Sequence, residues 1–163
     1  MGRVFWYVVS MLCFQSGIPL PYGMKRSLLR LFGASIGKGV VIKPRVTIKY
    51  PWRLKVGDHV WIGENVWIDN LDDVTIGSNA CISQGALLLT GNHDYSKSSF
   101  DLIIRPIEIG EGAWIGAKAT VTQGVRVGEH AVLSVGSTSS KNLNPWGIYR
   151  GNPAQWLKDR KIQ

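Results

Sequence analysis

Aliphatic residues recur every six positions along most of this chain, and few folds can use that period. They run Ile36, Ile42, Ile48; then Val56, Ile62, Ile68; then Ile76, Ile82, Leu88; and finally Ile109, Ile115, Val121, Val127, Leu133. A helix needs apolar positions at a period of about 3.6 and a half-buried strand at a period of 2. Six fits neither alone; it fits a short strand and a tight turn, repeated. The residue after the aliphatic one is often glycine, as at Gly37, Gly57, Gly63, Gly77, Gly110, Gly116 and Gly128. Four residues after the aliphatic position stands a small or β-branched residue, for example Val40, Val60, Ala80, Ala113 or Ala131. Three such hexapeptides close one triangular coil, with the aliphatic side chain inward on each face and Gly or Asn at the tight corner. Coils stack about 4.8 Å apart through parallel-strand hydrogen bonds. A single repeat cannot bury its own apolar face, so several coils must cover one another.

The expected fold class is therefore all-β: a single-stranded left-handed parallel β-helix of hexapeptide repeats over residues 36–138. The step from Ile36 to Val56 to Ile76 is twenty residues, two more than three hexapeptides, which implies a small corner bulge in each early coil. From Leu88 to Ile109 the step is twenty-one where six would be regular, so an excursion loop leaves the stack at about 89–106. Long excursions from a regular scaffold are where function tends to sit. Residues 1–35 do not repeat and form an N-terminal helical cap, with an amphipathic helix expected over 24–32. Residues 139–163 read as an exit with Pro145 and Pro153 as breakers and a short helix over 154–161. No linker divides the 163 residues, and one domain is expected.

Nineteen basic residues against eleven acidic give a formal net charge of +8, which favours anionic partners. The basic residues are spread along the chain without interleaved aromatics, and no nucleic-acid partner is expected. Cys13 and Cys81 sit in apolar contexts and read as core residues rather than a disulfide. The apolar run at 4–14 is eleven residues long, short of the ~20 needed to span a bilayer, and no small-x-small cleavage site follows it. It reads as a packed or interfacial helix, which implies a cytoplasmic protein with peripheral membrane contact through this segment.

Of three histidines, His59 and His130 occupy turn slots of the repeat, in VGDHVW and VGEHAV. His93 lies in the excursion, in TGNHDYSKSSFD, directly after the third early coil. An imidazole titrating near neutrality suits removal of a proton from an acceptor and its return to a leaving group. A carboxylate or amide beside it would fix the tautomer, and Asp69 or Asn70, one coil earlier, are the candidates. His93 has no nearby histidine partner, so no metal is expected. Cys81 and Ser83 sit inside repeats with nothing to activate them as nucleophiles.

At these residues the sequence resembles the hexapeptide-repeat O-acetyltransferases, especially the type encoded with colanic acid and other exopolysaccharides. The resemblance rests on LLRLFGASIG, on WIDNLDDVTIGSNACISQGALLLTGNHDY, on PIEIGEGAWIGAKATVTQGVRVGE and on the closing GNPA. It implies acetyl-CoA as co-substrate, a sugar or glycolipid acceptor, and a homotrimer with the coenzyme in the groove between stacks. The family's catalytic histidine falls on His93, and an Asn that places the acceptor falls on Asn65. The thioester-binding amide falls on Ala117, and coenzyme contacts fall near Gly116, Val135, Ser140 and Lys141. Asp69 is expected to orient the histidine, and Asn70, Asn92, Asp94 and Tyr95 to meet the acceptor. After GNPA the family commonly has Lys or Arg; here Gln155 stands there, leaving Arg150 or Lys158 for the 3′-phosphate. Transfer to a sugar amine and a non-catalytic binding β-helix are the alternatives. The exposed faces bearing Trp61, Trp67 and Trp114 need a partner or a ligand to cover them.

Overall fold

The computed structural model describes residues 2–162. Each hexapeptide contributes a strand of two or three residues, and the strands stack into three parallel sheets that form the sides of a prism. Face A stacks Ser35–Ile36, Leu54–Val56, Val74–Ile76, Ile107–Ile109 and Arg126–Val127. Face B stacks Val41–Ile42, Trp61–Ile62, Cys81–Ile82, Trp114–Ile115 and Val132–Leu133. Face C stacks Thr47–Ile48, Trp67–Asp69, Leu87–Leu89, Thr120–Val121 and Thr138–Ser139. The sixfold aliphatic series is also the pairing register: Ile42, Ile62, Ile82, Ile115 and Leu133 are successive partners on face B. All five are fully buried, as are the small residues four positions on, such as Val60, Ala86 and Ala119. The core is thus a column of aliphatic layers, with tryptophans on the outer surface of faces B and C.

Two positions in the repeat carry different backbone demands. The corner proper is the third residue after the aliphatic one, and it is left-handed even where the residue is not glycine. Arg45, His59, Asn65, Asn79, Lys118 and His130 all have φ between 54° and 60° there. His59 and His130 are therefore corner residues, as their slots in the repeat imply. The glycine directly after the aliphatic residue answers to crowding instead: a Cβ on Gly77 would lie 2.6 Å from the Glu111 nitrogen of the next coil. Gly77→Ala is expected to cost about 2 kcal/mol, because backbone must shift to admit the methyl group. At Gly136, where φ is +65° and an added Cβ would meet no atom within 4 Å, Gly136→Asn should cost less than about 1 kcal/mol. Denaturant titration of the two variants tests the distinction.

The open end of the first coil poses a hydrogen-bonding problem. Many backbone N–H groups of each coil donate to carbonyls of the next, as from Gly37 N to Val56 O, so the matching carbonyls of the first coil have no coil beneath them. Helices α1 (Gly2–Ser10) and α2 (Tyr22–Leu31), joined through a π-helical turn at Met11–Gln15, supply the missing donors. Arg30 donates to the carbonyls of Ile36 and Gly37, Arg26 to Val40, and Lys25 to Ile42 and Lys43. Trp6 Nε1 donates to Ile48 O. Lys25 is buried, and its desolvation holds the ammonium pKa below the ordinary lysine value. The basic spacing on α2 is thus a cap as well as a charge pattern. Among the described residues no helix is long and apolar enough to cross a membrane.

Two expectations need correction. Residues 154–161 do not form a helix: Gly147–Gly151 and Ala154–Asp159 pair as an antiparallel hairpin that extends face B. Ile148 and Tyr149 continue the ladder from Val132 and Leu133, giving this segment backbone partners that an isolated two-turn helix lacks. The excursion at about 89–106 leaves the stack as a hairpin, with Gly91–His93 and Leu102–Ile104 paired antiparallel. Both cysteines are half-buried free thiols; Cys13 packs against the core as expected, whereas Cys81 lies outward on face B between Trp61 and Trp114.

Candidate active site

The excursion hairpin is rooted in the preceding coil. Thr90 is fully buried at its base, where its hydroxyl donates to Asp69 O at 2.8 Å and accepts from Asp72 N at 3.1 Å. Its carbonyl accepts from Arg105 N as the chain returns. At the far end, Asp94 Oδ1 accepts from the hydroxyl and the backbone N–H of Ser96, and Lys97 bridges Asp94 and Asp101. The Ser96 hydroxyl first, and then its backbone N–H, hold the Asp94 carboxyl below the usual carboxylate value. Asn92 Oδ1 accepts from the backbone N–H of His93. Asn92 and Asp94, expected to meet the acceptor, thus shape the hairpin around His93, while Tyr95 is largely open to solvent.

His93 is exposed, and its ring is held on two sides. It stacks on Phe100, with centroids 4.3 Å apart and planes 7° from parallel. Its Nδ1 lies 2.8 Å from the Phe100 carbonyl oxygen. A carbonyl can only accept, so Nδ1 carries the proton and the neutral ring presents an unprotonated Nε2. Phe100 is itself in the left-handed region, with φ 49°. This corrects the expectation that Asp69 or Asn70 fixes the tautomer; a backbone carbonyl within the same hairpin does so.

Asp69 and Asn70 are used elsewhere. Asn70 is fully buried, accepting from Tyr50 N at 3.0 Å and donating to Tyr50 O at 2.6 Å, so both its polar atoms bind the neighbouring coil instead of an acceptor. Lys49 stands 2.9 Å from Asp69 Oδ1, an ion pair whose geometry is not aligned as a hydrogen bond. That pair faces a cavity of about 340 Å³ between α1 and face C, lined also by Arg3, Trp6 and Trp67. Asn65 is an exposed left-handed corner, the ordinary place for Asn in this repeat.

A second concavity, a groove of about 560 Å³ on face B, gathers three of the expected coenzyme residues: Gly116, Ala117 and Val135. Gly116 is there because a Cβ would lie 2.6 Å from Val135 N. Ala117 N–H makes no hydrogen bond among the described residues, while its carbonyl accepts from Gly136 N. Ser83 and Trp114 form the near wall, with Trp114 Nε1 donating to Ser83 Oγ at 2.8 Å. Arg160, which no sequence motif singles out, supplies the groove's positive charge; its Nη1 donates to the carbonyls of Gly112 and His130. The only signal for it is the basic run at the end of the chain, which reads as helix. Ser140, Lys141, Arg150 and Lys158 are exposed and lie outside the groove lining. Arg150 faces Gln155 across the terminal hairpin.

The hairpin and the groove are apart in one chain. The hairpin leaves between faces C and A, whereas the groove lies on face B and its corner with face C; no hairpin residue lines it. Among the described residues no group of three or more His, Cys, Asp or Glu side chains could hold a metal ion.

Residues 106–138 match the family model described as the hexapeptide repeat of succinyl-transferase. Over 155 residues the chain is 40% identical to the colanic acid biosynthesis acetyltransferase WcaF of Escherichia coli (strain K12), covering 95% of this chain and 85% of that one. The chain belongs to the hexapeptide-repeat acetyltransferases. A more distant acetyltransferase of this kind is the galactoside O-acetyltransferase of the same organism, 26% identical over 90% of this chain and 73% of the relative. Among solved structures, the hexapeptide-repeat acetyltransferase VCA0836 from Vibrio cholerae superposes with a TM-score of 0.88 at 25% identity, covering 99% of this chain and 92% of the other. VCA0836 has also been solved in complex with acetyl coenzyme A. The repeat, the solenoid and these acetyltransferase relatives agree on an acyl-transfer enzyme.

Proposed function

We propose that this acetyltransferase moves the acetyl group of acetyl-CoA directly to a sugar hydroxyl of a polysaccharide precursor, with His93 as general base. The observation that carries the reading is the contact between His93 Nδ1 and the Phe100 carbonyl, which leaves Nε2 as the free base. Nε2 takes the acceptor's proton as its oxygen attacks the thioester carbon. The resulting oxyanion is met by a backbone N–H, for which the unused amide of Ala117 is the candidate. When the C–S bond breaks, the imidazolium returns the proton to the thiolate, and no acyl-enzyme forms. The names of the relatives supply the acceptor class: colanic acid biosynthesis for one, a galactoside for the other. Two free cysteines and no disulfide among the described residues accord with a cytoplasmic enzyme. Incubation with acetyl-CoA and candidate nucleotide-linked or lipid-linked sugars, following thiol release, tests the reading. Release that depends on a sugar hydroxyl is expected; release only with amino sugars overturns it.

The separation of hairpin and groove further supports a homotrimer in which His93 of one subunit serves the Ala117 groove of its neighbour. His93→Ala and the groove-blocking Ala117→Trp should each give an inactive trimer. Co-refolding the two should restore part of the activity, because some interfaces then pair an intact His93 with an intact groove. Mixed trimers verified by mass that stay inactive would place both groups on one chain.

A further inference from the structure

Helix α1 and the π-helical turn that continues it bury one side and leave the other apolar. Trp6, Ser10 and Phe14 face inward, and Trp6 packs against Phe14 and Phe32. On the opposite side Val4, Phe5, Val8, Met11 and Leu12 follow one another at helical spacing, with Val4 75%, Phe5 68% and Leu12 63% exposed. A helix apolar all round needs a cover on both sides, and here only one is covered.

The charge around this stripe selects the cover. The basic residues are spread along the chain, but the acidic ones are not. Residues 1–57 hold ten Lys and Arg and no Asp or Glu, whereas residues 58–163 hold nine basic and eleven acidic residues. Four of the ten pair with acidic groups of the next coil: Lys38 with Asp58, Lys43 with Glu64, Lys49 with Asp69 and Arg53 with Asp72. Arg3, Arg26, Arg30, Arg45 and Lys55 have no ionic partner among the described residues and are at least partly exposed. Arg26 and Arg30 spend some donors on the first coil's carbonyls, yet keep their charge at this end of the prism. A second copy meeting this end head to head would set one positive end against another and be repelled. A surface that is apolar beneath and negative on top satisfies both features.

We infer that the N-terminal end of the prism docks on an anionic phospholipid surface, with α1 and the π-helical turn after it lying in the interface and their Val4, Phe5, Val8, Met11 and Leu12 stripe among the acyl chains. The basic residues around it meet the headgroup phosphates. The inference stands on the stripe and the charge distribution and does not depend on the acceptor proposed above.

Sedimentation of the full chain with vesicles tests it without measuring activity. Partitioning onto vesicles of two parts phosphatidylcholine to one part phosphatidylglycerol is expected to exceed that onto pure phosphatidylcholine by about tenfold or more. It should weaken sharply in about 0.5 M NaCl, where charges are screened within a few ångströms. Phe5→Ser combined with Leu12→Ser should lower partitioning about tenfold while the circular dichroism spectrum stays that of the wild type. Arg3→Glu, which leaves the stripe intact, should lower it about two- to fivefold. Equal partitioning onto neutral and anionic vesicles, or none onto either, overturns the inference. So does a stripe variant that binds vesicles like the wild type, or one that changes the oligomer's mass while the wild type ignores vesicles, since the stripe is then covered by a second copy.

Discussion

Replacing His93 by alanine is expected to lower turnover by about two to four orders of magnitude, the usual worth of a positioned acid–base group. The argument rests on how the ring is held. Its Nδ1 is committed to the Phe100 carbonyl and its face to the Phe100 ring, so the only free functional atom is Nε2. In the proposed mechanism, removing the imidazole takes away the proton acceptor for the attacking hydroxyl and the donor for the departing thiolate, while groove and backbone amides stay in place. Folding should be unaffected: the side chain is exposed, and the hairpin is anchored by Thr90 and by the Asp94, Ser96, Lys97 and Asp101 cluster. Steady-state thiol release with a saturating acceptor, alongside thermal unfolding, makes the comparison. Turnover near the wild-type value would remove His93 from the mechanism; a large loss with unchanged unfolding is the expected result.

The solenoid was legible in the sequence because its period is enforced at every turn. Each inward aliphatic side chain stacks on the equivalent one a coil away on the same face, so a single register error would bury the wrong residues throughout. Nothing comparable constrains the ends. The terminal segment has polar and apolar residues that suit a short helix, but the unpaired edge left at Val132–Leu133 recruits it as a strand. That preference belongs to the stack, not to the segment. Lys25, Arg26 and Arg30 belong to the amphipathic helix expected in the N-terminal cap, whose pattern does not say what the basic side chains bind. Their role as donors to the first coil's carbonyls emerges only when α2 lies across the open end. His93 stood out because the excursion interrupts a strict period, yet its tautomer partner could not be read. Backbone carbonyls have no signature in a sequence, and Asp69, the residue that looked suitable, was already paired with Lys49. Arg160 was missed for the same reason as the terminal hairpin that carries it to the groove.

Ile82→Asp is expected to unfold the protein or prevent its assembly, and it tests the register at its centre. Ile82 is fully buried on face B, partnered by Ile62 in the coil before and Ile115 in the coil after. An aspartate there has no basic group within the aliphatic column to meet it. Either it is buried charged or the proton must be bound at a cost, and the lost side chain leaves a void as well. Several kcal/mol of destabilisation against a typical total of about 5–15 kcal/mol leaves little folded protein. Asn79→Asp introduces the same side chain three residues earlier, at an exposed corner with φ 59°. Asp tolerates that left-handed conformation almost as well as Asn. The variant loses a 3.3 Å hydrogen bond to Glu111 and gains an exposed like-charge contact, together about 1 kcal/mol or less. Circular dichroism melts and size-exclusion elution of the two variants should therefore diverge widely. Equal behaviour would mean that the aliphatic and corner positions are not distinct, and the six-residue register assigned to the stack would be wrong.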